Sequence, residues 1–174
     1  MTINERINYA FKEVYGRKFN KNKPGDILDL DALAYILGKN GVNISGRFYF
    51  HFNLDENNQI VSNKFNDYVI NDLFEGDYHL LYTAEKDIIA RIKRLVKPEI
   101  VRNVAKIEYI VNKKGYMSEK TIKEYFVKNF GTAKEFKEAY EAYQNYNLKA
   151  AGKIISQGKL VSKANSSKDD GLSL

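Results

Sequence analysis

Ile44-Ser45-Gly46-Arg47-Phe48-Tyr49-Phe50-His51-Phe52-Asn53 decides the class of the fold. The segments before it repeat their apolar residues at helical spacing, and here the period drops to two. Phe48, Phe50 and Phe52 fall on one face, with Tyr49 and His51 on the other, as in a strand with one buried side. Asp55-Glu56-Asn57-Asn58 then supplies turn residues, and 59–65 returns as a second strand of mixed alternation. Residues 65–74 read as a short helix broken at Glu75-Gly76-Asp77. Tyr78-His79-Leu80-Leu81-Tyr82 reads as a third strand.

Helices flank this section. Ile7, Ala10, Phe11, Val14 and Tyr15 predict an amphipathic helix over 3–16, with Thr2 and Glu5 as a capping box and Gly16 at its end. A loop follows from Lys18 to Asp26, marked by Pro24-Gly25. A short helix is expected over about 31–38, capped by Asp29 or Asp31 and closed by the Gly38–Gly41 stretch. From Thr83 to about 156 the pattern is helical again. Pro98 divides two stripes, Lys113-Lys114-Gly115 ends the second, Ser118 caps a third helix, and Thr132 with Glu135 opens a fourth.

The fold class is therefore α+β, mostly helical, with a small antiparallel β-sheet or long hairpin inserted in the middle. Residues 1–156 are read as a single mixed domain, with its β section at about 44–82 and its helical section at 84–156. Residues 157–174, rich in Ser, Lys and Gly, are read as a polar C-terminal arm, either disordered or ordered on a partner.

Composition narrows the function. The chain has 174 residues, no Cys and two His. That excludes a disulfide framework, cysteine catalysis and a three-His zinc site. No apolar run approaches the ~20 residues that span a bilayer, and the charged N-terminal helix is neither a signal peptide nor an anchor, so no membrane partner is expected. Residues 1–84 carry 9 basic and 11 acidic side chains, whereas 85–163 carry 18 basic and 9 acidic. The second half is the candidate surface for a polyanion or an acidic neighbour.

No catalytic, cofactor or metal site is expected. His51 and His79 fall on predicted strands but lack the neighbouring hydroxyls of paired His-x-Thr phosphoesterases. Asp26, Asp29 and Asp31 could gather a hard cation, but helix capping explains them better than an EF-hand pattern they do not fit. Gly38-Lys39-Asn40-Gly41 lacks phosphate-loop spacing. The Phe48, Phe50, Phe52 row has few basic neighbours, so it reads as a buried sheet face rather than a base-stacking platform.

Two partner surfaces remain. Tyr140, Tyr143 and Tyr146 read either as three core residues or as an interface: on the second reading Tyr140 and Tyr143 suit the core, while Tyr146 is expected to point outward. With Lys149, Lys153, Lys159 and Lys163 of the arm, it would form a surface completed by a neighbour. Alternatively, 104–130 reads as a helix-turn-helix in which Lys113, Lys114, Lys120, Lys123 and Lys128 contact phosphates; without Arg, Asn or Gln in its early turns, the second helix would not read bases.

In size and layout the chain is similar to the head-to-tail connector subunits of tailed phages, with the hairpin at 44–65 and the arm at 157–174 as the devices that reach neighbours. The similarity implies a non-enzymatic virion protein that forms closed rings and binds copies of itself or other virion proteins. It would reside in the virion, or in host cytoplasm before assembly. The alternatives are a DNA-binding helix-turn-helix regulator and a phage inhibitor of a host defence system.

Overall fold

The computed structural model describes residues 3–44, 51–62, 81–115 and 117–147. These form helices α1 (Ile3–Tyr15) and α2 (Pro24–Lys39), strands β1 (Phe52–Leu54) and β2 (Ile60–Ser62), then helices α3 (Thr83–Leu95), α4 (Val101–Lys114), α5 (Glu119–Asn129) and α6 (Ala133–Tyr146). A single 3-10 turn, Pro98–Ile100, leads into α4. The chain is mostly helical with a small antiparallel sheet, as the periodicity predicts.

α2 is the most thoroughly buried helix, and its start corrects the sequence reading. It begins at Pro24, not near residue 31. Pro-Gly looks like a loop marker, but proline at the first helical position loses no hydrogen bond and its ring already holds a helical φ. Asp26 therefore lies in the first turn, where its carboxylate accepts from the Asn20 backbone N–H at 2.9 Å. Asp29 and Asp31 are inside the helix and cap nothing. Leu30, Leu33, Ile36 and Leu37 are fully enclosed, and Ala32, Ala34 and Tyr35 are buried around them. A helix apolar on nearly all sides belongs in the interior. α2 packs on α4, α4 on α6, and α1 on α3.

α1 and α3 lie parallel. Arg6 approaches Glu85 at 3.7 Å near their starts, and Glu13 meets Lys93 at 3.6 Å near their ends. Arg6 is buried, and its guanidinium also donates to the Asn43 carbonyl, tying α1 to the segment after α2.

The hairpin pairs Phe52 with Ser62, Asn53 with Val61 and Leu54 with Ile60. Its turn is built as expected from 55–58. The Asp55 carboxylate accepts from the N–H groups of Asn57 and Gln59, each at 2.9 Å, and Asn58 takes φ of 58°. The described strand is shorter than the expected 44–53. Residues 45–50, with Phe48, Phe50 and Tyr49, lie outside the described residues, as do the helix expected at 65–74 and residues 78–80. Leu81 and Tyr82 are not strand but lead into α3.

The later boundaries follow the sequence closely. Ser118 Oγ accepts from the Thr121 N–H at 3.3 Å, and Thr132 with Glu135 forms a reciprocal capping box at 2.9 and 3.1 Å. α4 ends at Gly115, whose φ of 78° suits a residue without Cβ. A Cβ on Gly131 would sit 2.7 Å from Glu135 Oε1 and 3.1 Å from the Phe126 ring, so glycine permits the tight passage from α5 to α6. α6 stops at Tyr146, and Asn147 is extended at φ −91° and ψ 101°; the rest of the helix expected to about 156 lies outside the described residues. The arm at 157–174 lies outside the described residues.

The hairpin is fastened to the helices by Asn58, whose side-chain amide donates to the Asn129 carbonyl at 2.8 Å. Asn58→Gly keeps the left-handed turn and loses this tie. Asn58→Ala loses the tie and adds a Cβ in an unfavourable conformation. Urea denaturation is expected to find the alanine variant about 1 kcal/mol less stable than the glycine variant.

Candidate functional site

The sequence-predicted partner surface begins with Tyr146, and the structure turns it around. Tyr146 is only 1% exposed. Phe126 of α5 and Phe136, Tyr140, Tyr143 and Tyr146 of α6 form a continuous row of rings, with successive centroids 5.6, 5.1, 6.1 and 5.9 Å apart. Positions 136, 139/140, 143 and 146 are one helical stripe, so Tyr146 continues inward. The outward reading gave too much weight to the polar sequence that follows.

At the end of this row lies a buried carboxylate that the sequence reading missed. Glu108 of α4 is 4% exposed. Its Oε1 accepts from the Tyr146 hydroxyl at 3.0 Å and lies 3.4 and 3.5 Å from the side-chain amides of Asn40 and Asn147. Its Oε2 accepts from the Asn112 amide at 3.1 Å. Asn112 also donates to the Glu108 carbonyl at 2.6 Å, and Asn40 to the Ile36 carbonyl at 2.8 Å. The ends of α2 and α6 are thereby joined to the middle of α4. The available signal was position: Glu108 is four residues after Val104, inside the apolar stripe of α4.

Burial pushes the Glu108 carboxyl above its ordinary value of 4.5, although the hydrogen bonds from Tyr146, Asn112 and Asn40 and the nearby Lys39 oppose the rise. Burial and the Glu108 charge push the Tyr146 hydroxyl well above its ordinary value. The donors are internal and already engaged, so the cluster works as a structural tie.

Asp26 and Asp29 of the acidic cluster are also matched internally. Arg17 meets Asp26 at 3.1 Å and Asp29 at 3.3 Å, while Arg102 Nε donates to Asp29 at 2.7 Å and its Nη2 to the Gly25 carbonyl at 2.9 Å. Tyr15 adds a hydrogen bond to the Asp29 carbonyl at 2.8 Å. Arginine forks, not helix capping alone, explain Asp26 and Asp29. Among the described residues no group of three or more His, Asp or Glu side chains is placed to hold a metal ion. His51 is exposed just before β1, and His79 lies outside the described residues.

Lys106 is a further buried charge on α4. Its ammonium lies 5.9 Å from the centre of the Phe130 ring, and burial lowers its pKa. It follows Ala105 on the buried side of α4, where an aromatic face replaces part of its lost hydration.

The helix-turn-helix lysines are all exposed, but they do not form one electropositive face. Lys113 lies 5.6 Å from the Tyr109 ring and Lys114 5.1 Å from the Tyr125 ring. Both also suit the negative end of the α4 dipole. On α5, Lys120, Lys123 and Lys128 alternate with the exposed Glu119 and Glu124. Lys149, Lys153, Lys159 and Lys163 lie outside the described residues.

A groove of about 550 Å³ opens between α5 and α6. Phe136 and Tyr140 line its floor, and Lys123, Lys134, Lys137, Glu119 and Glu141 its rim. No His or Cys lines it. No helix among the described residues is long and apolar enough to cross a membrane. The chain matches no family model, no curated protein and no solved structure.

Removing the Tyr146 hydroxyl leaves Glu108 with its shortest donor gone. Tyr146→Phe is expected to cost about 1.5–3 kcal/mol in urea unfolding at neutral pH, as for a hydrogen bond to a charged group. A second expectation concerns pH. Because the folded carboxyl titrates above the unfolded one, the folded chain binds this proton more tightly. The stabilisation that proton brings is fully present below 4.5 and is lost as pH rises through the higher folded value. The stability of the wild type relative to Glu108→Gln should therefore fall as pH rises from 4.5 and then level off. A pH-independent difference in urea midpoints would contradict the raised value.

Proposed function

We propose that this chain is a non-enzymatic assembly protein, of the connector type found in phage particles, that acts by contact with copies of itself or with other virion proteins. The observation that supports this reading is the groove between α5 and α6. Its aromatic floor and mixed Lys and Glu rim have the composition of a protein-contact surface, in which an apolar centre is ringed by polar groups. The interleaved charges suit a neighbour with interleaved charges better than a polyanion. The partner contact moves from Tyr146, which is spent inside the core, to the exposed Lys and Glu side chains that border this groove; Phe136 and Tyr140 beneath them are nearly enclosed. The proposed locations are the virion, and host cytoplasm before assembly.

Light scattering after size exclusion tests the reading. The expected mass is a fixed multiple of 20.1 kDa at micromolar concentration. Lys134→Glu with Lys137→Glu should shift the population toward monomer while leaving the circular dichroism spectrum unchanged. A strict monomer at millimolar concentration, with no change on mixing with other virion proteins, would overturn the proposal.

A further inference from the structure

Among the described residues, the basic charge is not concentrated on α5 and α6. The α5–α6 region, residues 119–146, carries five Lys and five Glu. By contrast, the segments 12–29 and 91–102 carry ten Lys and Arg against four Asp and Glu, an excess of six. About 60 residues separate these segments in sequence, and the first lies in the half whose total charge is negative. The fold brings them together. α1 and α3 are parallel, so their C-terminal ends lie side by side, and Lys93 reaches Glu13 there. Arg102 at the start of α4 bonds to Gly25 and Asp29 at the start of α2, and Arg17, just past α1, joins the same carboxylates. One end of the helical assembly therefore gathers the whole excess.

Three of the four carboxylates at this end are engaged: Asp26 and Asp29 by Arg17 and Arg102, Glu13 by Lys93. Lys18, Lys21 and Lys23 on the loop after α1, and Lys93, Arg94 and Lys97 at the end of α3, are exposed. Helix dipoles do not balance them. α1 and α3 end at this pole while α2 and α4 begin there, so two partial negative ends face two partial positive ends and the side-chain charge sets the field.

We infer that this basic pole is a contact surface for the phosphate backbone of double-stranded nucleic acid. The composition fits phosphate neutralisation rather than base reading. The exposed cations are mostly lysines, which act as point charges, while Arg17 and Arg102, the forked groups suited to base edges, are occupied by Asp29. A membrane surface fits less well, because Phe11 and Val14 at this end are buried and Phe19 is half-buried, leaving little apolar surface to insert. The lysines and arginines of this pole are not among the residues lining the α5–α6 groove or among the lysines of the helix-turn-helix unit, so the inference is tested independently of the assembly role.

Fluorescence anisotropy with the full chain tests the inference. The probes are a labelled duplex DNA, a duplex RNA of the same length and phosphatidylserine-containing vesicles. Contact with about four phosphates predicts that affinity for a DNA duplex falls roughly 100-fold between 50 and 200 mM salt. A variant combining Lys18→Glu, Lys23→Glu, Arg94→Glu and Lys97→Glu should bind at least about 10-fold more weakly and show a shallower salt slope. Lys120→Glu with Lys123→Glu and Lys128→Glu should change affinity less than about twofold. An unchanged circular dichroism spectrum checks that each variant folds. Pole-dependent binding to either duplex supports the inference, and the stronger arm identifies the nucleic acid. Absence of duplex binding, equal binding by the pole variant, or pole-dependent binding to vesicles alone overturns it.

Discussion

Glu108 places a carboxyl group in the interior of a mostly helical chain, and the Tyr146 hydroxyl 3.0 Å away is its shortest side-chain partner. An ionised carboxylate without donors in such a place costs several kcal/mol, so its surroundings are fixed by the need to supply them. α6 must end where Tyr146 can reach α4. Asn147 must leave the helix in an extended conformation, close to the same oxygen. Asn40, which ends α2, must turn its amide toward α4 while still holding the Ile36 carbonyl. Three helices are thereby set in one relative position by a group that apolar packing alone would not require.

This constraint redirects the functional reading. The tyrosines of α6 are not a surface waiting for a neighbour. Phe136 to Tyr146 form an internal ladder whose last member donates into the core. What α6 offers outward is the flank of this stripe, where Lys134, Lys137 and Glu141 border the groove toward α5. The charged groups divide likewise. Arg6, Arg17, Arg102, Asp26 and Asp29 join segments of the chain, while the lysines beyond α1 and α3 remain on the surface.

Much of the architecture was legible in the sequence because it depends on local rules. Gly16, Ser118, the Thr132–Glu135 box and Gly115 mark helix ends through bonds that span a few residues, and each acts where expected. The switch to period two near Phe52 announced the hairpin, and Asp55 built its turn. Pro24 misled because the same residue can end a loop or begin a helix, and only the packing of α2 decides between them. Glu108 was legible as a carboxylate inside an apolar stripe, but its donors are 4, 38, 39 and 68 residues away. The basic pole was hidden for the same reason: summing charge along the chain cannot show that α1 and α3 end side by side.

The most direct test of the central tie is a double-mutant cycle between Glu108→Gln and Tyr146→Phe, measured by urea unfolding at pH 7 with circular dichroism. Side chains that share a buried hydrogen bond are coupled, so the two losses should fail to add by about 1 kcal/mol or more. Strictly additive losses would show that the two groups stabilise the chain independently and that the helices are positioned by apolar packing alone.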